Sequence, residues 1–282
     1  MAETWYGEAP VPDPPRMTPG GWVRVVLRAV PLVTLVFGGL IVMLLVRLIE
    51  RPIYGLRRPV TPYITQCVCR GFFVILGMTH KTVGHPMKGP GAVVANHVSW
   101  LDVFALNLRK RIYFVSKAEV SQWPGVGWLA RATGTVFIER NRRSAAAQVA
   151  LFRERLAVGH KLLFFPEGTS TDGQRILPFK PTLFAAFFDP AFGDALQIQP
   201  VTLCYQAPDG QDPRYYGWWG DMRFGGSMVT MLATPRHGRV TVIYHDPVKV
   251  AAFDDRKQLA RATEGMVRSG LLRHRGPQID KG

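Results

Sequence analysis

Acidic residues are scarce in this 282-residue chain: 20 Asp and Glu stand against 35 Lys and Arg, a formal net charge of +15. Such a surplus points to an anionic partner, such as lipid head groups, an acidic carrier protein, the phosphates of a coenzyme or nucleic acid. Nucleic acid is set aside, because the basic residues are scattered and no zinc-finger spacing or RNA-binding signature occurs. Cysteine is rarer still, three in all, with Cys67 and Cys69 beside an apolar run. That excludes a disulfide framework and a zinc site, and it fits a reducing compartment. A Gly-x-Ser-x-Gly elbow is missing, which removes the usual serine nucleophile of α/β hydrolases.

What the chain does have is apolar: 47% of its residues are hydrophobic, ample for a core. Residues 1 to about 20 carry Pro10, Pro12, Pro14, Pro15 and Pro19 with few apolar groups, and are expected to be a disordered tail with no part in an active site. From residue 29 to 46 runs an uncharged stretch with Arg24 and Arg28 before it and Arg47 and Arg51 after it. It approaches the minimum of about 17 residues for crossing a bilayer, and arginine at both ends gives no orientation bias, so spanning and half-immersed arrangements both fit. No small-residue cleavage site follows, so the segment is expected to be retained. A second apolar stretch, from about residue 63 to 78, is broken by Arg70. The two predict a helical hairpin dipping into one leaflet, with Arg70 reaching back to the head groups. Residues 21–80 are thus expected to be membrane-associated helices and 81–275 a separate domain.

Past residue 80 the pattern becomes short β-rich runs alternating with helical ones. Strands are predicted at 92–96, 112–116, 135–140, 162–165, 196–205 and 239–245. A helix is predicted at 144–159, with Val149, Phe152 and Leu156 on one side and Gly159 as its stop, and another at 254–271. The alternation predicts an α/β fold, a mostly parallel sheet flanked by helices. Gly125-Val126-Gly127 follows a tryptophan-proline turn rather than a strand, and it reads as a packing feature rather than a dinucleotide loop.

Asn96-His97-Val98-Ser99-Trp100-Leu101-Asp102 lies where the first of these strands meets a helix. Ser99 and Asp102 have the form of an N-cap box, which places Asp102 in the first helical turn, leaning back toward His97. A carboxylate on one ring nitrogen fixes the tautomer and leaves the other nitrogen as a general base. No protein nucleophile accompanies the pair, so a substrate hydroxyl is expected to play that part. Taken alone, the pair is better read as a structural histidine beside a capping aspartate.

His97-x4-Asp102 followed by Phe165-Pro166-Glu167-Gly168-Thr169 closely resembles the glycerolipid acyltransferases, the lysophosphatidic acid acyltransferases and their relatives. The run from Gly134 to Arg140 resembles the second block of that family, and Ile198-Gln199-Pro200-Val201 the fourth. The resemblance spans roughly residues 80 to 250. It implies a glycerolipid acyltransferase-like fold behind an N-terminal membrane-associated helix pair, and transfer of an acyl group from a thioester to a lyso-lipid hydroxyl. His97 would be the general base and Asp102 its support. Arg140 would engage a phosphate of the acceptor or the carrier, and Lys117 would lie near the site. Glu167, Gly168 and Thr169 form a tight turn in which Glu167 would bond acceptor hydroxyls or hold an arginine.

Phosphate-using members commonly place arginine directly after Glu-Gly-Thr, whereas Ser170 stands here. Losing a bidentate guanidinium weakens a phosphomonoester as acceptor, although Arg175 is positioned to take over that role. The run through Lys180, with Tyr216-Gly217-Trp218-Trp219-Gly220-Asp221-Met222, resembles the bacterial branch that acylates lyso-ornithine lipid. The expected reaction needs no cofactor or metal, only an acyl carrier protein or coenzyme A thioester as co-substrate. Expected partners are the lipid bilayer, the lyso-lipid acceptor and the thioester carrier. The expected location is the cytoplasmic face of the inner membrane. The alternatives are a 1-acyl-sn-glycerol-3-phosphate acyltransferase and, from other classes, a lipase or thioesterase or a non-catalytic membrane-docking protein.

Overall fold

A computed structural model of the chain describes residues 4–7, 10–14, 16–89, 91–139 and 145–275. Its centre is a sheet ordered β1-β7-β6-β2-β5-β3-β4, with β8 also on β6. The strands are β1 Thr79–Val83, β2 Gly91–Ala95, β3 Tyr113–Lys117, β4 Val136–Ile138, β5 Lys161–Phe164, β6 Gln197–Gln206, β7 Arg239–Tyr244 and β8 Val248–Lys249. β6, β2, β5, β3 and β4 run parallel, while β7 and β8 are antiparallel to β6 and β1 is parallel to β7. The sheet is therefore mixed but mostly parallel, as expected.

β2 shows why it is central. All of Gly-Ala-Val-Val-Ala is buried, the mark of a strand covered on both faces. Its alternate side chains feed two cores: Val93 and Ala95 join Phe72, Leu76, Leu101 and Leu106 on one face, while Ala92 and Val94 join Phe152, Phe184, Leu259 and Val267 on the other. The first face is covered by α2 (Thr61–Leu76) and α3 (Asp102–Asn107), the second by α5 (Ala145–Ala157), the 3-10 turn Pro181–Phe188 and α7 (Arg256–Arg275). The two remaining short helices are α4 (Val126–Thr133) and α6 (Phe224–Ala233). At Gly127, in the first turn of α4, an added Cβ would lie 2.1 Å from the Ser121 carbonyl oxygen, so the glycine is there for packing.

Two edge strands escaped the sequence reading. β1 (Thr-His-Lys-Thr-Val) has no buried residue and hence no apolar pattern, and β8 is two residues long. Of the strand expected over 135–140, the described residues form Val136–Ile138: the Thr135 N–H still bonds the Ala130 carbonyl at 2.9 Å, just past the Gly134 cap of α4, and residue 140 lies outside the described residues.

The apolar run lies in α1, Pro19–Tyr54, which begins on a Thr18 cap and extends well beyond the uncharged core. Among the described residues it is the one helix long and apolar enough to cross a membrane. Glu50 holds the hairpin closed, accepting the Val60 N–H at 2.8 Å, the Thr61 N–H at 3.2 Å and the Thr61 hydroxyl at 2.8 Å, at the start of α2. Gly39 and Gly71 let the two helices approach: a Cβ on either would fall 2.5–2.6 Å from Val68 or Leu35. The second arm differs from expectation in one respect. α2 turns Cys69, Phe72, Phe73 and Leu76 into the domain core, so it is as much part of the folded domain as of any membrane surface.

Candidate active site

The carboxyl end of β2 is pinned before the loop begins. The Asn96 side chain accepts the Leu203 N–H at 2.7 Å and donates to the Leu203 carbonyl at 3.0 Å, continuing the β2–β6 pairing by one rung. The chain then turns through 97–101 into α3, whose first residue is Asp102. Asp102 organises the whole turn: its Oδ2 accepts His97 Nδ1 at 2.7 Å, Val98 N–H at 2.8 Å and Ser99 N–H at 3.0 Å. Half of the expected cap box is therefore present. The other half is not: the Ser99 hydroxyl turns toward Leu101 N–H, and the Asp102 N–H bonds the Ser99 carbonyl instead.

The second oxygen of Asp102 takes the Tyr205 hydroxyl at 2.7 Å. Burial, with the charge of Asp102 added, pushes the Tyr205 hydroxyl well above its ordinary range, so it stays a donor. The aspartate side chain is 0% exposed, yet that of His97 retains 21% and can be reached from solvent. The imidazole stacks on Phe165 at 4.0 Å between ring centres and 10° between planes. With Nδ1 engaged by a carboxylate, Nε2 is left as the basic nitrogen.

Glu167 does something other than the sequence predicts. It is 1% exposed, with one oxygen accepting the His97 N–H at 2.7 Å and the other the Leu177 N–H at 2.8 Å. A carboxylate sealed in and shared between two backbone donors cannot bind acceptor hydroxyls; it sets the position of the histidine backbone. Burial pushes its pKa up to about 8, against the pull of those two N–H groups. Thr171 grips the same residue, with its N–H at 3.0 Å and its hydroxyl at 3.2 Å from the His97 carbonyl. Gly168, at φ +78°, makes the turn that permits this return.

Past that turn, the 168–175 and 216–222 segments lock together over the histidine loop. Trp218 N–H donates to the Val98 carbonyl at 2.9 Å, and the Ser170 hydroxyl donates to the Trp218 carbonyl. Gly217 is squeezed so tightly that a Cβ there would lie 2.8 Å from the Asp172 Cα. The segment expected to be a disordered tail reaches this place as well. Trp5 N–H lies 3.5 Å from the Thr169 hydroxyl, the Trp5 carbonyl accepts Gly220 N–H at 3.1 Å, and the Arg175 guanidinium sits 5.3 Å over the Trp5 ring. Arg175 also pairs with Asp172 at 3.4 Å. The aromatic face of Trp5 supplies the apolar surface that a proline-rich composition conceals.

The family model described as Acyltransferase matches residues 79–204, which include the histidine loop and the Glu-Gly-Thr turn. A lyso-ornithine lipid O-acyltransferase of Rhodobacter capsulatus is 53% identical over 95% of this chain and 96% of its own length. The chain belongs to the acyltransferase family. A 1-acyl-sn-glycerol-3-phosphate acyltransferase of Neisseria gonorrhoeae is 41% identical over 42% of this chain and 46% of its own. In fold, the acyltransferase is similar to the crystal structure of the 1-acyl-sn-glycerophosphate acyltransferase PlsC from Thermotoga maritima, with a TM-score of 0.61 over 89% of this chain and 94% of that one, at 19% identity. The chain is a lysolipid acyltransferase.

Of the residues singled out from sequence, the structure gathers His97, Asp102, Glu167, Gly168, Thr169 and Arg175 at one edge of the sheet. Lys117 ends β3 on that same edge, one strand beyond β5. Arg140 lies outside the described residues. Sequence reasoning missed Tyr205, Thr171 and the Phe165 stack. Tyr205 is separated from Asp102 by 103 positions and carries no motif; only strand pairing brings them together.

Proposed function

We propose that this acyltransferase esterifies the free hydroxyl of a lyso-ornithine-type aminolipid with a fatty acyl group taken from an acyl carrier protein or coenzyme A thioester. His97 Nε2 takes the proton of the acceptor hydroxyl as its oxygen attacks the thioester carbonyl. The new C–O bond forms, the C–S bond breaks, and the thiolate leaves with the proton returned by the imidazolium. A thiol with pKa about 8.5 is a good leaving group, so a strong acid is not required. The alcohol is a weak nucleophile, and a positioned base is worth about 10²–10⁴ in rate. Asp102 holds the tautomer and stabilises the transient charge.

The observation that carries the choice of acceptor is the bond from the Ser170 hydroxyl to the Trp218 carbonyl. A buried serine tied to the aromatic 216–222 loop stands at the sequence position where phosphate-using members commonly carry arginine, so that position offers no guanidinium to a phosphate. One feature favours the second reading, 1-acylglycerol 3-phosphate as acceptor: Arg175 remains partly exposed over the ring of Trp5, the residue whose N–H approaches the Thr169 hydroxyl. Supplying each lyso-lipid with acyl carrier protein- and coenzyme A-linked chains and following its consumption separates the two. Release of free fatty acid without an acceptor would instead mark a hydrolase. Loss of transfer in His97→Ala, with membrane association kept, is the result expected of the catalytic reading.

The proposal extends to the membrane. α1, about 54 Å long at 1.5 Å per residue, is tied to the same domain near both ends. Arg24 and Arg28 donate to carbonyls of residues 232–234, while Glu50 holds the start of α2 and Arg58 donates to the Ala132 carbonyl. A helix fixed along a domain in this way lies half-immersed, with Leu27, Ile41, Leu48 and Ile49 in the acyl layer and the sheet on the cytoplasmic side.

A further inference from the structure

Away from the histidine loop, a cavity of about 700 Å³ opens where β6 ends and β1 and β7 begin, beneath the first turns of α1. Its wall holds Arg16, Arg24, Arg236 and Arg239, with Asp209 as the acidic residue among its lining, so four arginines stand against one carboxylate residue. Arg24 spends its Nε on the Ala233 carbonyl at 2.6 Å, which holds the group at the rim. Among the described residues no carboxylate forms an ion pair with the other three arginines. The fifth basic side chain of the wall, His237, adds no charge near neutral pH: burial pushes its pKa down to about 4 and its Nδ1 is engaged with the Tyr216 hydroxyl. Arg16, Arg236 and Arg239 are exposed, so water screens their mutual repulsion, but together with Arg24 they give the mouth of the cavity a positive field that favours an anion.

The surroundings say where that anion comes from. The N-terminal end of α1, with its positive dipole, borders the cavity at Thr18 and Gly21. Directly along the helix stand exposed Trp22, Val23, Val26 and Leu27, an apolar strip that water does not favour. A cationic chamber opening beside an apolar strip matches a molecule with a phosphate at one end and acyl chains next to it. We propose that this cavity seats the phosphate of an anionic membrane phospholipid, bound as a docking lipid and not as the acyl acceptor. The wall of Tyr205, Tyr215 and Tyr216 stands between it and Asp102, with Tyr205 and Tyr216 ring centres 5.6 Å apart and those of Tyr215 and Tyr216 5.3 Å apart. The assignment therefore does not depend on the reaction proposed above.

The test uses the full chain and vesicles of phosphatidylcholine with rising phosphatidylglycerol content, read by co-sedimentation at low salt. Wild-type binding is expected to rise with the anionic fraction, and an R16Q/R236Q/R239Q variant to lose at least about tenfold of that rise. The same variant should keep transfer to micellar lyso-lipid within about twofold, which shows that it is folded. An R153Q/R256Q/R261Q variant removes the same charge from the opposite sheet face. Equal loss in both variants would mean diffuse attraction and overturn the assignment, as would unchanged binding in the first. Inorganic phosphate forms the second arm: saturable displacement of vesicles at matched ionic strength would reassign the cavity to a soluble phosphate and overturn the lipid.

Discussion

The Tyr205 hydroxyl and the Asp102 carboxylate meet at 2.7 Å in a place where the aspartate has no access to water, on the side away from His97. The aspartate is therefore held between two rings, one that it supports and one that supports it. Removing the hydroxyl leaves a buried carboxylate oxygen short of a partner, and hydrogen bonds to charged groups contribute about 1.5–3 kcal/mol. Tyr205→Phe is expected to lower kcat by about tenfold or more, with KM for the lyso-lipid within about twofold. Steady-state kinetics with a saturating thioester checks this.

Asp102→Asn replaces one acceptor oxygen by an NH₂ group in a site where every partner of Oδ2 is a donor. If the amide nitrogen faces the loop it opposes three donors; if it faces Tyr205, the hydroxyl must reverse. Either way the imidazole loses its carboxylate, and transfer should fall by about 10²–10⁴. Circular dichroism that matches wild type would place the loss in the site rather than the fold.

Glu167 gives a pH dependence with a definite sign. Its folded pKa, raised by burial to about 8 from 4.5, means that the native state binds the proton more tightly than the unfolded chain. The stabilisation is fully present below about pH 4.5 and is lost as pH rises through about 8. The thermal midpoint in detergent should decline across that window, and Glu167→Gln should flatten the decline. The variant should also be less stable overall, because its NH₂ group would face the Leu177 or the His97 N–H. A wild-type midpoint that climbs from pH 5 to 8 would contradict this.

Ser170→Arg tests the acceptor assignment. Ser170 is buried and holds the Trp218 carbonyl, so arginine must displace the 216–222 segment that also bonds Val98. Acylation of lyso-ornithine lipid is expected to drop at least tenfold, with any gain appearing on 1-acylglycerol 3-phosphate. Paired assays on the two acceptors measure the ratio.

Trimming residues 1–14 removes Trp5 from Thr169 and Arg175. KM for the lyso-lipid should rise severalfold, kcat should stay within about twofold, and the unfolding midpoint should change little. An unaltered KM would show that the segment only rests on the surface.

Local pattern alone determined much of this molecule. The runs around Val93, Leu163 and Val242 are short, β-rich and buried, so period and composition sufficed to find the central strands. The amphipathic spacing of Phe152 and Leu156 located α5 in the same way, and His97 and Asp102 lie five positions apart, close enough for one turn to join them. Only the tertiary structure decided what lies far along the chain. Whether Tyr205 faces Asp102, whether Glu167 meets substrate or backbone, and where Trp5 comes to rest each depend on strand order and loop packing. Such contacts leave no periodic trace, because residue spacing reports which face a side chain occupies and not which distant segment arrives to cover it.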